Sequence, residues 1–182
     1  MPTEIIRPDS TTSETGWDTP NIHTVIGDGD AATEAEQTST TCNATVTLGN
    51  PSFADSSTIN SITATFRGVA GRTGNNTVQI TYSHSTDGAF GGETKTVTTD
   101  ANYNYSAVTT QQDGSSALTF EYVKNLSLII VPGTSGVTAK DVFVTVDYTL
   151  ATLAAADPYD NTVNNLHITS GNVSVQSDNI FI

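Results

Sequence analysis

Short runs in which apolar and polar residues alternate dominate the chain between residues 44 and 150. Alternation with a period of two is typical of a β-strand that buries one face. Clusters of Gly, Asn, Asp and Ser separate the runs and favour turns. The pattern therefore predicts an all-β protein, with about eight strands in a two-sheet antiparallel β-sandwich of jelly-roll type.

The predicted strands differ in how clearly the sequence marks them. The last is the clearest, because Val142, Val144 and Val146 alternate with residues of the other face, and we place these valines in the core. The run at 126–131 is apolar throughout, which is typical of a strand covered on both faces. The eight predicted strands are 44–48, 58–67, 77–84, 93–99, 103–108, 117–122, 126–131 and 141–149.

The two ends of the chain differ from its middle. Residues 1–20 contain three prolines and many small polar residues, so we predict an extended N-terminal arm over 1–20 and a sandwich over 21–150. Residues 151–182 are predicted to be a linker followed by a C-terminal hairpin. A hairpin this small would need a partner to be stable.

Charge narrows the range of partners. The chain has nineteen acidic and six basic residues, which gives a net charge of -13 and a pI of about 4.1. The electric field of so negative a protein repels phosphate backbones and anionic lipid, so we expect neither a nucleic acid nor a membrane as partner. The first residues lack the basic and apolar regions of a secretion signal, and we expect synthesis in the cytoplasm.

The sequence carries no pattern that indicates an enzyme. A Gly-x-Ser-x-Gly nucleophile turn is absent. The single cysteine, Cys42, stands beside a predicted strand, where a small core residue is more common than a reactive thiolate. We therefore predict a protein without catalytic residues.

Metal and cofactor patterns are equally sparse. The three histidines, His23, His84 and His167, are far apart in sequence, unlike the paired ligands of a zinc site. Asp28 and Asp30 offer alternating carboxylates that suit Ca²⁺, but the rest of an EF-hand loop is missing and Asp-Gly pairs commonly form turns. We expect no cofactor and no metal, with Asp28 and Asp30 as weak candidate ligands.

The order of these features resembles β-sandwich proteins of tailed-bacteriophage virions, namely capsid decoration (cement) proteins, head fibres and tail-associated jelly-roll modules. Relatives often have a second Trp and a Gly-Gly-Asp segment, where this chain has only Gly91-Gly92-Glu93. The resemblance covers about residues 17 to 149 and rests on Trp17, on GDGDAAT at 27–33, on INSITATF at 59–66 and on VFVTVDYT at 142–149.

The resemblance implies a structural protein on the capsid surface of the virion. We expect a decoration protein that binds and stabilises the shell of major capsid protein through its ends. A homo-oligomer is also implied, with a trimer favoured. The expected contacts are the apolar residues of the two ends, Ile5, Ile6, Trp17, Ile180, Phe181 and Ile182.

Other functions remain open. A tail-fibre or baseplate module would share the sandwich and act in attachment to the host. A carbohydrate-binding module would bind host-surface glycans through aromatic side chains. Tyr103, Tyr105 and Tyr122 are the candidates for such a surface, although aromatic residues at alternating strand positions usually pack in a core.

Overall fold

The computed structural model describes residues 1–71, 76–134 and 136–151, and these form two five-stranded antiparallel sheets. The two-sheet antiparallel β-sandwich predicted from the alternation is confirmed. The elements are β1 (Thr3–Ile6), β2 (Pro8–Thr15), α1 (His23–Ile26), β3 (Ala35–Glu36), β4 (Asn43–Leu48), β5 (Thr58–Ala70), β6 (Thr77–His84), β7 (Gly88–Thr96), β8 (Ala101–Asn104), α2 (Phe120–Lys124), β9 (Leu126–Pro132) and β10 (Val137–Thr149).

The two sheets differ in strand order. The first sheet has the order β1-β10-β5-β8, and β3 pairs with β10 on the same side as β1. The second sheet has the order β2-β4-β9-β6-β7. In both sheets, neighbouring strands are often distant in sequence, so the fold depends on long-range pairing.

The core lies between the sheets and is made by the inward side chains of each strand. Val142, Val144 and Val146 of β10 are fully buried, as predicted. They stand beside Phe66, Ala64 and Ile62 of β5, which are also fully buried. The other sheet contributes Val46, Ile80, Leu128 and Ile130. Full burial of a side chain of this size is worth about 1.5 to 3 kcal/mol.

Residues 1–20 are part of the sandwich, which corrects the predicted N-terminal arm. β1 pairs with β10 from Thr3 to Ile6, and β2 pairs with β4. The Ser- and Thr-rich composition that suggests an unstructured arm also suits an edge strand with one exposed face. Pro8 begins β2 at a sheet edge, where its missing N–H is tolerated.

The predicted strand at 117–122 is replaced by a turn and the short helix α2. The side chain of Thr119 accepts a hydrogen bond from the backbone N–H of Tyr122 at 3.2 Å and so caps the helix. Glu121 in the first turn and Lys124 in the last both suit the helix dipole. Tyr122 and Val123 are the buried residues of the helix, and Leu118, which precedes the cap, is also buried.

Strand β9 is covered on one face only, which corrects the expectation drawn from its apolar run. Leu126, Leu128 and Ile130 point into the core. On the opposite face Ile129 is half-buried, and 37% of Val131 is exposed. The second sheet therefore has an open outer face.

Met1–Ala151 form one compact unit. The predicted C-terminal hairpin, together with the expected contact residues Ile180, Phe181 and Ile182, lies outside the described residues. In the described part of the chain, no helix is long and apolar enough to cross a membrane.

The neighbouring residues Ile5 and Ile6 give a direct test of the N-terminal strand, because 50% of Ile5 is exposed and only 3% of Ile6. We expect Ile6→Ala to lower the free energy of unfolding by about 2 to 4 kcal/mol through the cavity it leaves. The matched change Ile5→Ala should cost less than about 0.5 kcal/mol. Urea unfolding of the two variants would measure this, and equal small effects would show that β1 does not hold the fold.

Candidate functional site

Aromatic side chains gather at one end of the sandwich, where β4 leads to β5, β6 turns into β7 and α2 precedes β9. Phe53 stacks on Tyr148, with ring centroids 4.4 Å apart, and meets Phe120 edge-on at 5.5 Å. We call this region the aromatic end, and it comprises Phe53, His84, Phe90, Phe120, Tyr122 and Tyr148.

Helix α2 joins this group of rings to a second one. Phe120, at the start of the helix, contacts Phe53, whereas Tyr122 faces β6 and β7. The imidazole of His84 lies flat against the ring of Tyr122, with centroids 4.1 Å apart and planes 7° apart. Phe90 packs at 5.9 Å from Tyr122 and at 5.6 Å from Tyr82. Aromatic pairs of this kind add about 0.5 to 1.5 kcal/mol each beyond their burial.

The loop that carries Phe53 is held by the N-terminal strand. Both carboxylate oxygens of Glu4 in β1 accept hydrogen bonds from this loop, one from the N–H of Ser52 at 2.8 Å and one from the N–H of Phe53 at 3.1 Å. The N–H of Tyr148 donates to the carbonyl of Pro2 at 3.2 Å. The segment predicted to be a free arm therefore positions two rings of the aromatic end.

Two carboxylates lie beside the second group of rings. Asp87 lies 3.3 Å from Nδ1 of His84. The hydroxyl of Tyr122 accepts a hydrogen bond from the N–H of Gln112 at 3.0 Å. Burial raises the pKa of Tyr122, and the charges of Asp87 and Asp113 raise it further. The turn at 85–87 and the turn that carries Asp113 thus meet at the Tyr122 hydroxyl.

Asp113 is held in its turn by three donors. The Ser116 hydroxyl donates at 2.5 Å, and the backbone N–H groups of Ser115 and Ser116 donate at 2.9 and 2.8 Å. These bonds stabilise the ionised form, the hydroxyl most, and lower the pKa of Asp113 to about 2. Asp113 is therefore a carboxylate at any neutral or mildly acidic pH.

The aromatic end combines partly exposed rings with hydrogen-bond acceptors. Phe90, Phe120 and Tyr148 are partly buried, while Phe53 and Tyr122 beneath them are buried. A pyranose ring has an apolar C–H face that can stack on an aromatic ring and a rim of hydroxyls that can donate to carboxylates. This surface can therefore contact both parts of a sugar.

The tyrosines singled out from the sequence have different roles. Tyr105 is buried, and its hydroxyl donates to the carbonyl of Val78 at 2.8 Å. The Tyr103 hydroxyl is bonded to the backbone of Thr98 and Thr99. Both stabilise the sandwich, and of the three predicted tyrosines Tyr122 is the one at the aromatic end.

The predicted contact residues of the N-terminal segment are not grouped into one exposed surface. Ile6 is buried in the core and Ile5 is exposed on β1. Trp17 is half-buried, and its indole N–H donates to the carbonyl of Asn43 at 3.1 Å. Only Ile5 therefore keeps a largely free apolar side chain.

Asp28 and Asp30 organise a turn. The carboxylate of Asp28 accepts from the N–H of Asp30 at 2.8 Å and from the hydroxyl of Thr33 at 2.7 Å. Asp30 accepts from the N–H of Ala32 at 2.9 Å. Across residues 1–71, 76–134 and 136–151, no three His, Cys, Asp or Glu side chains come together as metal ligands would.

Cys42 is a core residue. It is buried, and burial raises the pKa of its thiol to about 12. The thiol is therefore protonated at neutral pH and is a poor nucleophile.

Sequence reasoning missed most of the aromatic end. Phe53, His84, Phe90 and Phe120 lie in separate loops, turns and strand ends, and nothing local marks them as neighbours. One usable signal was present, since Thr119 followed by Glu121 is typical of a helix start. That signal would have placed Phe120 and Tyr122 on a short helix.

No family model matches the chain, and no curated protein matches it. Among solved structures, the chain is similar to a truncated AlyQ with CBM32 and alginate lyase domains, at 13% identity and a TM-score of 0.51, over 85% of this chain and 36% of that one. It is also similar to the C-terminal domain of a chitobiase from Bacteroides fragilis, at 13% identity and a TM-score of 0.46, over 78% of this chain and 94% of that one.

These similarities bear on the fold. The chain spans about a third of the AlyQ structure that it matches. The similarity to the AlyQ structure supports the β-sandwich assignment.

The low pKa of Asp113 predicts how its turn responds to acid. Because the pKa of Asp113 in the folded protein lies below the usual aspartate value of 3.8, the bonds to Ser115 and Ser116 are complete above about pH 4 and are lost as the pH falls through about 2. NMR titration of the Ser115 and Ser116 amides should give a midpoint near 2. Ser116→Ala should raise that midpoint, and a wild-type midpoint near 3.8 would contradict the bonding described.

Proposed function

We propose that this chain is a non-catalytic carbohydrate-binding module and that the aromatic end is its ligand site. The observation that carries the proposal is the juxtaposition of partly exposed Phe90 and Phe120 with the carboxylates of Asp87 and Asp113 around Tyr122. Rings and acceptors on one surface can bind the two chemically different parts of a sugar at once.

The preorganisation of the rings favours a binding role. Phe53, Tyr148 and Phe120 pack against one another, and Tyr122 is fixed by the His84 ring and by the Gln112 N–H. A ligand that docks on rings already held in place orders few side chains, so little conformational entropy is lost on binding.

Asp113 is poorly suited to act as the acid in glycoside hydrolysis. A glycosidase needs one carboxylic acid that is protonated near neutral pH and can donate to the leaving oxygen. The pKa of Asp113 is lowered instead, and both its oxygens accept hydrogen bonds from Ser115 and Ser116. These features support a binding role over a catalytic one.

The virion role remains a prediction, and its contact mechanism has less support than glycan binding. Docking through the N-terminal segment needs Ile5, Ile6 and Trp17 to be free, but Ile6 is buried and the Trp17 indole is bonded to Asn43. A tail fibre or baseplate that contains a glycan-binding sandwich would fit both the virion role and glycan binding.

Glycan binding can be tested with two phenylalanine substitutions. The double variant Phe90→Ala, Phe120→Ala should bind its glycan at least about tenfold more weakly, because two ring contacts are lost. The control is Phe143→Ala, which removes a half-buried ring that lies under Arg7 on the other face of β10 and should leave binding unchanged. Binding would be measured by calorimetry after a screen of immobilised neutral, N-acetylated and uronate glycans.

Two results would contradict the proposal. One is a wild-type protein that binds no glycan in the screen. The other is a loss of affinity in Phe143→Ala that equals the loss in the double variant. Circular dichroism of each variant would establish that the sandwich is intact before binding is compared.

A further inference from the structure

We infer that the aromatic end selects uncharged glycans and rejects polyuronates and other anionic glycans. This inference rests on the proposed function and adds the class of ligand. It is argued from where the cations of the chain lie and what they contact.

Every Lys and Arg side chain in the described part of the chain is paired with a carboxylate of the same chain. Asp100 binds two of them, and Arg72 lies outside the described residues. The pairs are Arg7 with Asp141 at 3.1 Å, Arg67 with Asp100 at 3.3 Å, Lys140 with Asp100 at 3.0 Å, Lys95 with Glu93, and Lys124 with Glu121 at 3.7 Å.

Two of these cations, Arg7 and Lys95, contact groups outside the aromatic end. Arg7 contacts the ring of Phe143 and the carboxylate of Asp141 on the outer face of the first sheet. Lys95 contacts Glu93 and lies over the ring of Tyr105. Lys124, on α2, is the cation nearest in sequence to Phe120 and Tyr122, and Glu121 of the same helix neutralises it.

The aromatic end itself is negatively charged. Asp87 and Asp113 lie close enough to the Tyr122 hydroxyl to raise its pKa, whereas Glu121 on α2 is paired with Lys124. His84 is the remaining basic group, and it contacts Asp87. The site therefore offers an incoming carboxylate no unpaired Lys or Arg among the residues that the structure describes.

This arrangement distinguishes sugars by charge. A uronate would bring its carboxylate within a few ångströms of fixed like charges, which is less than the Debye length of about 8 Å at physiological salt. Arg and Lys are common side-chain donors to a bound carboxylate, and none is unpaired among the described residues. Neutral hydroxyls, by contrast, can donate to Asp87 and Asp113.

The test uses pairs of oligosaccharides that differ only at carbon 6. Glucose, galactose and mannose oligomers carry a hydroxymethyl group there, and the matching glucuronate, galacturonate and mannuronate oligomers carry a carboxylate. We expect a neutral member to bind and its uronate partner to bind at least about tenfold more weakly. A uronate that binds as tightly as its neutral partner, or more tightly, would overturn the inference and leave the proposed function standing.

Absence of binding to every oligomer would count against the proposed function itself, so the two failures are distinguishable.

A charge-reversal variant tests the role of charge at the aromatic end. Glu121→Lys should strengthen uronate binding roughly threefold or more at low salt and change neutral binding little. Glu36→Lys, an equal charge change at an exposed residue of β3, should do neither. Equal gains in both variants would show that overall charge, not the aromatic end, controls binding.

Discussion

The backbone pairing of β10 is the interaction on which the rest of the structure depends. One side of this strand pairs with β5 along its length, and the other side pairs with β1 and β3. Its inward valines fill the core, and Tyr148 near its end stacks on Phe53. A single strand thus joins the N-terminal segment, the core and the aromatic end.

The sequence predicted the central strands well because burial of one strand face leaves a period-two pattern. The predicted strand 77–84 coincides with β6 (Thr77–His84), and the valines of β10 are buried as expected. The same reasoning failed at the N-terminal edge. β1 and β2 expose many Ser and Thr residues, and their place in the sandwich follows from pairing with strands far along the chain, which no local pattern encodes.

The candidate site was less predictable than the fold for the same physical reason. Its rings come from a loop, a hairpin, a short helix and a strand end, and they meet only after the sheets have formed. Over residues 118–122 the sequence fits both a strand and a helix start, since Leu118, Phe120 and Tyr122 alternate while Leu118 directly precedes Thr119, the helix cap. The Thr119 cap decides for the helix.

The ion pairs of this chain matter more for recognition than for stability. Exposed ion pairs are screened by solvent, so Arg67 with Asp100 and Lys124 with Glu121 add little to a fold held by its core. Their consequence is that the described cations are already neutralised in a chain of net charge -13. A surface of this kind can attract an uncharged partner only through apolar contact and hydrogen bonding, and the aromatic end provides both.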